Sequence, residues 1–133
     1  MATKTLIKHD SLRQTEFYHH VSVSEGGKTV RVAGQAAWDR DRNLLGGDSL
    51  EEQTRYTFQN LKTALAAGGA TLEDLVMLTF YVVGYEAAHR DVLLNVMSEF
   101  IPPEHRPPST LLGVQALAYP ELLVEIDGVA VID

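Results

Sequence analysis

Apolar positions along the chain change their period several times, and each change marks an element. From Tyr18 to Val23 and from Thr29 to Gln35, β-branched residues dominate. The intervening Glu25-Gly26-Gly27-Lys28 has turn chemistry, which predicts a two-stranded hairpin. Ser49 followed by Glu52 has the spacing of a capping box, so a helix is predicted to start there. Thr54, Phe58, Leu61 and Leu65 then recur at spacings of four and three and make one apolar stripe. Gly68-Gly69 offers a left-handed stop, which ends the helix near Ala67. Thr71–Leu75 reads as a short capped turn. Val76–Val83 is nearly all apolar, the pattern of a central strand covered on both faces.

A second helix is predicted from about Tyr85 to Phe100, with Ala88, Val92, Val96 and Phe100 four apart and Pro102 beyond. Ser109–Leu117 and Leu122–Val131 read as two more strands joined at Tyr119-Pro120. The resulting order, ββαβαββ, describes one α+β domain over residues 1–133, with residues 1–15 peripheral. Helices on one face of the sheet leave the other face apolar, and a second copy is the expected cover.

Composition narrows the function. The 133 residues are 45% apolar, enough for one core. A net charge of -7 repels phosphate backbones and argues against nucleic-acid binding. There is no cysteine, hence no disulfide or thiolate chemistry. With no apolar run of the ~20 residues that span a bilayer and no secretory pattern at MATKTLIKHD, a cytoplasmic setting without membrane contact is expected. The histidines are scattered. His19 and His20 are adjacent and would face opposite ways on a strand, so no metal site is expected.

Four segments carry a resemblance: Val32-Ala33-Gly34-Gln35; Leu45-Gly46-Gly47-Asp48; Glu52-Gln53-Thr54 with Asn60-Leu61-Lys62; and Val124-Glu125-Ile126-Asp127-Gly128-Val129-Ala130. In this order, across Tyr18 to Val131, they resemble the YjgF/RidA family. The resemblance implies a chorismate-mutase-like fold, a homotrimer with sheets forming a central barrel, and small-metabolite clefts shared between subunits. It also implies hydrolysis of reactive enamines and imines to keto acids and ammonia without metal or cofactor. Some relatives carry an older label as ribonucleases.

Carried over residue by residue, the resemblance makes Glu125 the group that positions or activates water. Tyr18 lies at the cleft mouth, and Gly34 is the glycine of a Ser-Gly-Gln motif whose serine is Ala33 here. The arginine that clamps a substrate carboxylate in deaminating members corresponds to Ser109, aligned through Leu112-Gly113-Val114. Arg106, beyond Pro107 and Pro108, is the candidate replacement. The family's helix asparagine corresponds to Leu94, with Asn95 turned ~100° away.

The residues themselves leave simpler readings beside these. Leu123, Glu125, Asp127 and Val129 alternate onto one strand face, where two acids are as simply solvated as catalytic; close together, they would raise one another's pKa. Trp38 either walls a pocket or packs on a neighbouring subunit. Ser109 has no motif-spaced histidine and no nucleophile elbow, so it reads as a hydrogen-bonding or plain strand residue. The missing clamp leaves two leading functions: a deaminase whose substrate lacks the usual carboxylate, or a trimer that binds a metabolite without turnover.

Overall fold

In the computed structural model, which describes residues 1–133, six strands and two helices follow one another as β1 (Thr3–Ile7), β2 (Val21–Glu25), β3 (Lys28–Gln35), α1 (Leu50–Ala67), β4 (Leu75–Val83), α2 (Ala87–Met97), β5 (Ser109–Val114) and β6 (Val124–Ile132). Four strands form a mixed sheet in the order β3-β6-β4-β5. Only β4 and β5 run parallel, as the crossover through α2 requires.

The expected hairpin does not pair as a hairpin. β2 pairs antiparallel with β1, a strand the sequence pattern did not reveal, and β3 pairs with β6. Gly26 and Gly27 both have positive φ, 71° and 73°. A Cβ on Gly27 would collide with the Ile132 carbonyl and lie 2.6 Å from the Ala2 side chain. The turn therefore lies against the end of β6 and passes the chain from one sheet to the other, a path open to glycine alone. Residues 1–15 thus contain a strand of the outlying two-stranded ribbon.

α1 starts and stops where its pattern places it. Ser49 Oγ accepts from the Glu52 N–H at 3.2 Å, and Gly69 takes the left-handed stop with φ 86°. The reciprocal half of the capping box is absent, because Glu52 instead pairs with Arg55 and the Ser49 N–H donates to the Gly46 carbonyl. Thr54, Phe58, Leu61 and Leu65 are buried as the stripe predicts. In α2 the buried face is Leu93, Val96 and Met97, rotated from the expected Ala88–Val92–Val96–Phe100 line. The helix ends at Met97, and Phe100 folds back to stack on Phe58 at 5.2 Å.

Both helices lie on the sheet face formed by Leu78, Phe80, Val82, Val124, Ile126 and Ala130, all fully buried. The opposite face carries Met77, Thr79, Tyr81, Leu112, Glu125, Asp127 and Val129, all partly or largely exposed in the single chain. β4 is central, but only one of its faces is covered. No helix is long and apolar enough to cross a membrane.

Candidate functional site

Glu125 is set by the strand pattern and by a glycine. In β6 it stands on the open face, opposite Tyr81 of β4, with Asp127 two residues on and opposite Thr79. On the other flank β3 bulges between Val32 and Gln35. Gly34 sits in this bulge, directly under the Glu125 side chain: a Cβ there would lie 2.7 Å from Glu125 Cδ and overlap its carboxylate. The Gly-Gln motif and the Val-Glu-Ile-Asp motif are two sides of one contact. Ala33 is exposed beside it.

Burial, and then the neighbouring Asp127 charge, push the Glu125 carboxyl above its ordinary 4.5. Asp127 accepts a 2.9 Å hydrogen bond from Tyr81 Oη. That bond, followed by burial, raises the tyrosine. The arrangement is a carboxyl that holds its proton to higher pH than a solvated one, beside a hydrogen-bonded acid–phenol pair. Gly34→Ala meets only the flexible end of Glu125, so it is expected to leave the fold intact, displace the carboxyl and shift its titration. Carboxyl-detected NMR titration of the two proteins checks this.

The rest of the expected site lies elsewhere. Tyr18 and Ser109 line a cavity of about 210 Å³ together with Arg13, Phe17, Tyr85, Arg90 and Leu111. Ser109 is in register with Leu78, and Leu111 with Phe80, so both point to the helix side of the sheet. Glu125, in register with Tyr81, points to the other side. Tyr18 precedes β2 and sets its ring edge against His20, 5.9 Å between centroids. His20 is a structural group: its Nδ1 accepts from the His9 N–H at 3.0 Å, and Nε2 lies 2.8 Å from the Arg13 carbonyl. A larger concavity, about 420 Å³, lies at the chain ends between Ala2, Lys4, Asp74 and Asp133 and holds none of the motif residues.

Arg106, the candidate replacement for the clamp, is turned into the protein. It is 3% exposed, and its guanidinium donates to the Ile101 carbonyl at 3.0 Å, the Glu16 carbonyl at 2.8 Å and Ser98 Oγ at 3.1 Å. Pro107 and Pro108 fix the backbone so that the side chain turns into the body of the protein, where two loop carbonyls and a serine hydroxyl engage all three guanidinium nitrogens. Trp38 is also outside the cavity. It meets Tyr119 edge-on at 5.0 Å, under the Arg42 guanidinium. Leu94 packs against the core and Asn95 is exposed on the helix surface.

Sequence reasoning missed Arg13, Tyr85 and Arg90. None belongs to a motif, and the one local signal is Gly113, where a Cβ would lie 2.9 Å from Tyr85 Cβ.

The Endoribonuclease L-PSP family model matches residues 9–132. Among solved structures, YyfB of Yersinia pestis, described as a protein of unknown function of the conserved Rid protein family, is 34% identical. It superposes with a TM-score of 0.89 over 97% of this chain and 98% of its own. Rv2704 of Mycobacterium tuberculosis, described as a member of the YjgF/YER057c/UK114 family, is 27% identical, with a TM-score of 0.66 over 98% of this chain and 100% of its own. RidA of an Antarctic Psychrobacter is 25% identical, with a TM-score of 0.70 over 90% and 97%. With the Glu125–Gly34 contact formed by two family motifs and nearly the whole chain matched, this protein belongs to the YjgF/Rid family.

Proposed function

We propose that the protein is a cofactor-independent, cytoplasmic hydrolase that deaminates small reactive enamines or imines in a cleft completed by a second copy, within a homotrimer. The observation that carries this reading is the Glu125 carboxyl seated on the Gly34 backbone, its pKa pushed upward by burial and by Asp127. Glu125 and the Tyr18–Ser109 cavity face opposite sides of one sheet, so one chain cannot apply both to one small ligand. A second copy docked on the open sheet face removes that obstacle and covers Met77, Leu112 and Val129.

The chemistry needs one proton relay. An enamine first tautomerises to its imine by gaining a proton at carbon and losing one from nitrogen. The Glu125 carboxylic acid donates to the imine nitrogen, water adds to the electrophilic carbon, and the carboxylate takes the proton that water releases. Returning that proton to nitrogen breaks the C–N bond of the carbinolamine while the carboxylate takes the hydroxyl proton, leaving a carbonyl compound and ammonia and restoring the carboxylic acid. Glu125→Gln is expected to lower ammonia release from freshly generated imines on the order of 10²-fold, the scale of a lost general acid–base group. The first transfer uses the protonated carboxyl, so the wild-type rate should fall as pH rises through the elevated Glu125 pKa. Unchanged hydrolysis by Glu125→Gln at every pH would sink the proposal.

Ser109 in place of the clamp favours a second reading, a trimer that holds a metabolite without turnover. Recovery of an intact bound imine analogue after long incubation would select it.

A further inference from the structure

The cavity around Tyr18 and Ser109 has two arginines in its lining and no acid, in a protein whose net charge is -7. Arg90, fourth residue of α2, is held in place before any ligand arrives. Its Nη2 donates to Thr15 Oγ1 at 3.0 Å, and its guanidinium lies 5.4 Å from the Phe17 ring centroid. Phe17 is itself locked edge-on against Phe80 in the core. The nearest anion is Asp91, 3.8 Å from Nη1, beyond hydrogen-bond reach and 79% exposed, so it screens the guanidinium only weakly. With 29% of its side chain exposed, Arg90 keeps unused donors. Arg13 enters the same cavity from the loop that His20 ties down through the Arg13 carbonyl. A small hydroxyl at Ser109 leaves the room that a guanidinium would fill from the strand side.

We propose that Arg90 is the carboxylate anchor of this protein, reaching from α2 into the space left open at Ser109, with Arg13 adding positive charge at the rim. The ligand class is therefore a small 2-oxo or 2-imino acid. The carboxylate is held by a fork of guanidinium donors and the reacting carbon is presented toward the cleft. This is the opposite of the expectation that loss of the family arginine selects ligands without a carboxylate. It rests on the cleft proposed above, but binding and turnover are separable.

NMR titration with pyruvate, and with acetone as its counterpart lacking the carboxylate, tests the anchor on the intact protein. Wild type is expected to bind pyruvate and not acetone. Arg90→Met, which keeps the apolar stem on Phe17, should weaken pyruvate at least tenfold. Arg90→Lys should fall between the two, and Arg13→Ala should weaken it by a smaller factor. Equal pyruvate affinity in Arg90→Met and wild type, or no pyruvate binding by wild type, overturns the proposal. Arg90-dependent binding without any imine turnover would keep the anchor and reject the deaminase reading. Turnover of amino-acid imines indifferent to Arg90→Met would do the reverse.

Discussion

Replacing Gln53 by leucine is expected to lower folding stability by about 4 kcal/mol, and its physical cause is a single buried amide that joins three backbone segments. Gln53 is fully buried in the first turn of α1. Its Nε2 donates to the Gly47 carbonyl at 2.8 Å and the Glu121 carbonyl at 3.0 Å, and its Oε1 accepts from the Leu123 N–H at 2.9 Å. Leucine fills much of the volume but satisfies none of the three; a stranded buried group costs ~1–3 kcal/mol, and these three, on half-buried to exposed backbone, each fall toward the low end of that range. The half-buried Leu123 N–H suffers most, since leucine offers no acceptor in place of Gln53 Oε1. The loop before α1 is equally exposed to the change, because Gly46 and Gly47 hold positive φ, 86° and 56°, against Gln53. Urea denaturation at matched protein concentration measures the loss; matching matters because association would add to apparent stability. A midpoint within error of wild type would mean that the entry to β6 is held by other contacts.

That amide ties two neighbouring motifs to a segment distant in the chain. Leu45-Gly46-Gly47-Asp48 and Glu52-Gln53-Thr54 form one knot, and the knot fixes the segment from which β6 departs two residues before Glu125. Asn60 performs the matching task for β3, donating to the Ala36 and Trp38 carbonyls at 2.8 and 2.9 Å just beyond Gly34. The two partners of the Glu125–Gly34 contact are thereby positioned by polar residues of the same helix.

How far the sequence could be read follows from how local each signal is. α1 was legible because its cap, its stripe and its glycine stop lie in one continuous run. The face of α2 was misread because Ala88 and Phe100 fit a spacing of four, yet the first is exposed and the second lies past the helix end. The Gly26-Gly27 turn was recognised but the strand pairing was not. Turn chemistry is local, whereas β3 finds its partner in β6, nearly the length of the chain away. β1 escaped notice because it is largely exposed and has no strong alternation to betray it. Glu125 and Gly34 were readable through their motifs. Arg13 and Arg90 were not, because only the packing of Phe17 under α2 brings them to one cavity.

Arg106→Met is expected to lower stability by about 3 kcal/mol, with a fall in Tm of roughly 10 °C for a chain of this size, while leaving pyruvate affinity within twofold of wild type. The side chain is 3% exposed, and its three donors gather Ile101, Glu16 and Ser98, so that one residue ties the loop before β2 to the end of α2. Its own carbonyl accepts from the His19 N–H at 3.1 Å and lies 2.6 Å from His19 Nδ1, which closes the same junction from the other side. Methionine keeps the stem and deletes every donor, leaving two carbonyls and a hydroxyl without their partner. Thermal unfolding together with the pyruvate titration separates the two possible roles. Lost stability with retained binding is the signature of a residue that holds the cavity wall. Retained stability with lost binding would restore Arg106 as the clamp and displace Arg90. Sequence position cannot distinguish these arginines, since Arg106 is the nearer to Ser109 by a wide margin. What distinguishes them is where their donors are spent: Arg106 uses Nε, Nη1 and Nη2 on the protein's own carbonyl and hydroxyl oxygens, whereas Arg90 uses one and keeps the remainder at the mouth of the cavity.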